Sequence, residues 1–435
     1  VAPNRLFISG LSTLSALGVS GPEVVASIES MKPHPSSAHG VPVFSVTTAA
    51  EKIVAMTARN PRFTKLDRVT LLALGAVAMM LERHALDISD LCGVSIGSSR
   101  GPTASLEVTH AQYLDSSVVE ATARVPVETS PTTTAGNISA WVAQLLMEYS
   151  ENCKPITSPN VSLRTSPFCC STSMTCTSAF HSLLVGVAFL RAGMVRSWVF
   201  GGSEAPLTGY TIAQMSALRI YSRNLSPAWP CQPLAAGERR ESTLVLGEGA
   251  GVAVLRQGAE PLNPHDDLEL LSIGWSMEKI PSATGVSDDG IAFESAMRQA
   301  LSGLGQDTRI DAAIMHAAGT SKGDAAERAA VQRVFSGAAE QPALLTTKPL
   351  TGHTFAASGM LSLELARAVL RGTRWPGVGY PSWTAAPGLV LASLPSAVAS
   401  QRGQEEKQCP QRVKILINTA GFGGNVIALV VCRSG

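Results

Sequence analysis

The sequence predicts an α/β fold built from two related halves, and three observations carry that prediction. Short apolar runs ending in glycine or other small residues recur along the chain, and helix-length segments separate them. After a break rich in proline and aspartate at residues 261–267, a similar series begins again.

In the first series the apolar runs fall at residues 6–8, before Ser9-Gly10, at 94–96, before Gly97, at 198–200, before Gly201-Gly202, and at 252–255. The second series occupies 268–273, 312–315, 413–417 and 426–431. Runs this short and uniformly apolar read as strands buried on both faces. Between them, residues 68–84, 176–192, 291–304 and 324–335 have helical length and spacing, so helices cover the outer faces of the sheets. The halves divide as 1–258 and 259–435. Residues 32–42, 226–240, 372–388 and 401–412 are rich in turn formers or charge and read as surface loops.

Composition narrows the function classes. With 34 basic and 33 acidic residues the net charge is +1, so no global field favours nucleic acid or an anionic membrane surface. The most apolar stretch, 71–81, is bounded by Asp67, Arg68 and Glu82 and is far shorter than the ~20 residues a membrane span needs. The opening VAPNRLFISG shows no charged segment, long apolar core and cleavage site in succession, so a cytoplasmic location is expected. The eight cysteines have no CxxC spacing and the eight histidines no HxH or HExxH pair, so neither a metal site nor a cofactor is expected. GGSEA at 201–205 lacks the last glycine of a nucleophile elbow, and GEGAG at 247–251 lacks a dinucleotide or P-loop spacing; both read as tight turns with close backbone packing.

Cys176 opens the segment CTSAFHSLLVGVAFLRAG, in which Phe180, Leu183, Leu184, Val187 and Leu190 fall on one helical face and Gly193 offers a stop. A thiol in a first helical turn meets unpaired N–H groups and the positive end of the dipole, which favour thiolate. The sequence therefore nominates Cys176 as a nucleophile. An ordinary small buried thiol is the alternative.

The segment SMTCTSAFHS at 173–182 resembles the nucleophile region of β-ketoacyl-carrier-protein synthases. Further landmarks of that family follow in order: LFISGLSTLSALG from Leu6, FGGSEAPLTGY from Phe200, VLGEGAGVAVL from Val245, HAAGTSKGDAAE from His316, TTKPLTGHTFAASG from Thr346 and NTAGFGGN from Asn418. The resemblance spans nearly the whole chain. It implies a thiolase-like fold of two pseudo-symmetric halves, each with a mixed sheet, layered α-β-α-β-α. It also implies that Cys176 takes an acyl group from the phosphopantetheine thioester of an acyl carrier protein, in polyketide or fatty-acid-type biosynthesis. His353 and Lys348 match the family's second histidine and its lysine. Phe422 matches a gating aromatic between Gly421 and Gly423, its N–H forming an oxyanion hole with that of Cys176, and Thr320 and Ser321 match substrate-contacting positions. Relatives dimerise through a strand that would here be residues 198–200.

Two positions depart from the family. Ala318 stands where the first histidine precedes Gly-Thr-Ser, and the nearest histidine, His316, is two residues earlier. On an extended strand that offset moves the ring by roughly 6–7 Å, so His316 substitutes only if the loop takes another path. Ser362 replaces the glutamate that pairs with the lysine, and Glu364 is rotated by about 200° along a helix. Three functions fit. The first is an acyltransferase with an altered catalytic set, acting as a homodimer and impaired in decarboxylative condensation. The second is a chain-length-factor-like subunit paired with a complete synthase in a heterodimer. The third is a non-decarboxylative acyl transfer or cyclisation enzyme.

Overall fold

A computed structural model describes residues 5–84, 92–114, 134–153, 167–223, 228–234, 241–279, 285, 289–305, 308–338, 341–375 and 412–434. The principal strands are β1 (Arg5–Ser15), β2 (Cys92–Gly97), β3 (Phe168–Thr172), β4 (Ser197–Glu204), β5 (Gly249–Gly258), β6 (Leu268–Met277), β7 (Ala312–Ile314), β8 (Ala343–Leu345), β9 (Lys414–Gly421) and β10 (Asn425–Arg433). Six helices alternate with them: α1 (Arg68–Arg83), α2 (Thr134–Cys153), α3 (Ser178–Arg191), α4 (Ile291–Ser302), α5 (Ser321–Phe335) and α6 (Ser358–Leu370). Each half thus runs β-α-β-α-β-α-β-β. All the expected strands form, and β3 and β8 are additional.

The repeat extends to topology. The first half has the order β1-β5-β4-β2-β3 and the second β6-β10-β9-β7-β8. In both, the first two joins are antiparallel and the last two parallel. Leu6, Phe7 and Ile8 pair with Leu270, Glu269 and Leu268, linking the sheets through β1 and β6.

Burial defines the layers. Every residue of α6 is buried, and one apolar cluster joins its Leu363 and Val369 to Leu183 and Val187 of α3 and to strands of both halves. These two helices therefore form the middle layer. Leu72 and Val77 of α1 and Val142 of α2 pack on Val94 and Val252 of the first sheet. Met297 of α4 and Val331 of α5 pack on Leu416 and Val430 of the second. The fold is the expected α-β-α-β-α thiolase-like sandwich.

Several local expectations change. GGSEA lies largely within β4, and GEGAG runs into β5, because β4 and β5 pair antiparallel from Ser197–Arg256 to Glu204–Gly249. The glycines serve close packing within strands rather than turns. A Cβ on Gly202 would lie 2.3 Å from the Ala356 carbonyl oxygen and 2.9 Å from Ala179 Cβ. Gly202→Ala is therefore expected to destabilise the fold by about 1–3 kcal/mol through overpacking, read as a lower midpoint in urea unfolding. Residues 32–42 include paired strands Ser36–Ala38 and Val41–Val43, whereas most of the loops expected at 372–388 and 401–412 lies outside the described residues. Residues 198–200 sit in β4, hydrogen-bonded on both sides by β2 and β5. They offer no free edge for dimerisation. That edge belongs to β3, whose Phe168 is 47% exposed and stacks on Phe189.

Candidate active site

β3 and α3 are joined by a tight turn that presents Cys176. Thr175 adopts φ 50°, a left-handed conformation that disfavours a β-branched residue. Its side chain crosses to β9, where a Cβ on Gly421 would lie 1.9 Å from Thr175 Oγ1. Gly421 thus makes room for the turn. Thr177 is the N-cap of α3, so Cys176 precedes the helix and does not occupy its first turn.

The electrostatics also differ from the sequence expectation. A helix dipole contributes about 0.3–1 kcal/mol, less than one decade of ionisation. Burial moves the Cys176 thiol from 9.0 up to about 12, assisted by the negative charge of Glu204; Lys348, the cysteine's own N–H and Arg100 act in the opposite direction. Desolvation wins, and the resting group is a thiol.

His353 supplies the missing base. It follows the short helix Lys348–Thr351, and its backbone is fixed by His353 N–H donating to Val245 O at 2.7 Å and Gly247 N–H donating to His353 O at 3.1 Å. Its Nε2 lies 3.0 Å from Cys176 Sγ and its Nδ1 3.3 Å from Ser358 Oγ. With the proton on Nδ1, Ser358 accepts and Nε2 faces the thiol as an acceptor. Burial, with the nearby His316 and the Lys348 charge, holds His353 well below the usual imidazole range. It is neutral at pH 7 and able to take a proton.

Lys348 is buried behind these groups, and burial lowers its ammonium to about 8 against the opposing charges of Glu327, Cys176, Cys231 and Asp324. No carboxylate forms an ion pair with it among the described residues. Ser362 is buried, and Glu364 pairs with Arg367 through both oxygens, at 2.8 and 2.7 Å.

His316 reaches the same site. Its ring centroid is 5.2 Å from that of His353, with the planes at 87°. Ala318 packs in the apolar cluster that contains Cys176 and Phe355. Cys176, His316, His353, Thr320, Ser321 and Phe422 line one cavity of about 400 Å³. Asn425 Nδ2 donates to Phe422 O at 2.9 Å, tying down the glycine-rich loop in which Gly423 and Gly424 have φ 91° and 76°. The structure therefore gathers all the sequence-nominated residues at or around one centre.

Sequence reasoning missed three buried carboxylates. Glu204 accepts from the side chains of Ser98 and Ser99 and from the backbone N–H groups of Ser99, Arg100 and Ala356. Asp324 accepts from Gly319 N–H at 3.1 Å and Leu234 N–H at 2.9 Å. Glu327 accepts from His316 N–H and Ala317 N–H, both at 2.8 Å. The last two lay within the quoted GTSKGDAAE run, where a three-residue spacing places them on one helix face. Among the described residues no three His, Cys, Asp or Glu side chains gather as a metal site, and no helix is long and apolar enough to cross a membrane.

Comparison with known proteins agrees with this geometry. Residues 161–260 match the β-ketoacyl synthase N-terminal domain and residues 269–378 its C-terminal domain. A 3-oxoacyl-[acyl-carrier-protein] synthase 2 of Staphylococcus aureus (strain COL) is 25% identical over 373 residues, covering 82% of this chain and 83% of its own. Among solved structures, the ishigamide ketosynthase/chain length factor superposes with TM-score 0.74 at 19% identity, covering 99% of this chain and 100% of that one. A β-ketoacyl synthase from Burkholderia phymatum gives 0.72 at 20% identity, covering 99% and 100%. These likenesses show the same fold.

Proposed function

The chain belongs to the β-ketoacyl synthase family, and on that premise we propose that it is a cytoplasmic acyltransferase taking acyl groups from acyl-carrier-protein thioesters onto Cys176. The observation that carries this is the 3.0 Å contact between Cys176 Sγ and His353 Nε2 beside an open cavity. As sulfur attacks the thioester carbonyl, its proton passes to Nε2 and then to the departing carrier thiolate. The N–H groups of Cys176 and Phe422 are assigned to the oxyanion. Thr320 and Ser321, at the start of α5, are assigned to the pantetheine arm. Lys348 contributes positive charge behind the thiol, with Gly421 and Gly423 letting the Phe422 loop move.

Ala318 can neither donate nor accept a proton, so condensation after acyl transfer requires another donor or proceeds slowly. A subunit that only shaped a partner's pocket would have no use for a thiol poised against an imidazole. The contact therefore favours the enzyme over the chain-length-factor reading. Purified alone and given an acylated carrier protein, the chain is expected to gain the mass of one acyl group in intact-protein mass spectrometry. No adduct, together with a stable heterodimer beside a co-expressed complete synthase, would instead make it a partner subunit.

A further inference from the structure

The path between β7 and α5 is unusual in a way that bears on the missing histidine. Ala317 has φ 33° and Gly319 φ 84°. A non-glycine residue in that region costs roughly 1–2 kcal/mol, so other contacts must hold it there. The Glu327 carboxylate does so. Oε1 accepts from His316 N–H at 2.8 Å and Asn418 Nδ2 at 3.1 Å, and Oε2 accepts from Ala317 N–H at 2.8 Å. One helical turn earlier, Asp324 accepts from Gly319 N–H at 3.1 Å. Two carboxylates on one face of α5 thereby fix three backbone amides of the loop between β7 and α5.

The consequence is the position of the His316 ring. It lies edge-to-face with His353, lines the cavity that contains Cys176, and is only 9% exposed. Its Nδ1 is enclosed and has no hydrogen-bond partner among the described residues. Orphaned N–H donors are rarer in interiors than under-satisfied acceptors, which favours a bare Nδ1 and the proton on Nε2. His353, by contrast, presents a bare Nε2 to the thiol. The site therefore holds one imidazole disposed to accept and one disposed to donate.

We propose that His316 is a catalytic residue supplying the site's second imidazole from a rerouted loop, and that Glu327 is the positioning residue that holds that route. This deepens the acyltransferase reading and rests on it for the fate of the product. In the step assigned to His316, the bond between Cα and the carboxylate of a malonyl-type thioester breaks and CO2 leaves. The electron pair forms an enolate whose charge on the thioester oxygen is met by His316 N–H. The enolate carbon then bonds to the acyl carbonyl on Cys176, the carbon–sulfur bond breaks, and the thiolate takes a proton from solvent.

The test uses malonyl-pantetheine carrying ¹³C in its free carboxylate, with labelled CO2 release as one readout and Cys176 acylation by mass as the other. His316→Ala is expected to lower CO2 release by roughly 10²- to 10⁴-fold. His316→Gln, which keeps a side-chain N–H and much of the volume, should recover part of it. Glu327→Gln, which turns an amide group toward backbone N–H donors, should also lower it. Release of CO2 by His316→Ala at the wild-type rate, or none from the wild type, overturns the proposal. Decarboxylation needs no acyl group on Cys176, so an absent adduct overturns only the acyl-acceptor reading.

Discussion

Replacing Cys176 with alanine is expected to lower acyl transfer from a carrier thioester by roughly four orders of magnitude or more, the loss typical of removing a covalent nucleophile. The protein should remain folded. The substitution deletes one buried sulfur that contacts the His353 ring, and the turn is held independently by Ser178 Oγ donating to Thr175 O and Thr177 Oγ1 donating to Met174 O at 2.7 Å. The choice of probe matters because Cys169 is exposed. Its thiol, pushed up to about 11 by burial of neighbouring surface and by Cys170, still gives slow background alkylation. A halo-acyl pantetheine reports on the cavity rather than on exposed thiols. It should label the wild type once and leave Cys176→Ala unmodified, and equal labelling of the two would remove the nucleophile assignment.

Much of the fold was legible because its strands are buried on both faces and therefore spell continuous apolar runs. Val94, Ile96, Val252, Ile415 and Val430 are all fully enclosed. β3 was not legible for the opposite reason. Phe168, Cys169 and their neighbours lie at a sheet edge and are partly exposed, so FCCST carries neither an apolar run nor a clean alternation. The identity of the site residues was also legible, since the landmarks quoted for the resemblance contain them. Their protonation was not. The local sequence shows Cys176 beside a helix start, but the apolar cluster that buries its thiol includes the distant Leu244, and the negative charge that adds to the effect is that of Glu204. The place of His316 was hidden similarly. A two-residue offset predicts a displaced ring, and the loop's path is held by carboxylates further along the chain, Asp324 and, eleven residues beyond His316, Glu327.

The high thiol value and the low imidazole value together give a second large effect with a defined pH dependence. A thiol near 12 is ionised to only about one part in 10⁵ at pH 7, so its reactivity there depends on transfer of the proton as sulfur attacks. His353→Ala removes the acceptor 3.0 Å away. Acylation of Cys176 at pH 7 is expected to fall by roughly 10²- to 10⁴-fold, read from the rate of adduct formation by mass spectrometry. The sign with pH follows from which group remains. In the variant only free thiolate reacts, so the rate should climb about tenfold for each pH unit toward the thiol's own range. In the wild type, His353 is held below the usual imidazole range and stays a proton acceptor throughout neutral pH. Its rate should therefore be nearly flat across that interval and fall only in acid, once the ring is protonated. A variant with the wild-type rate and the same flat profile would show that His353 does not act on the thiol, leaving the 3.0 Å contact as packing alone.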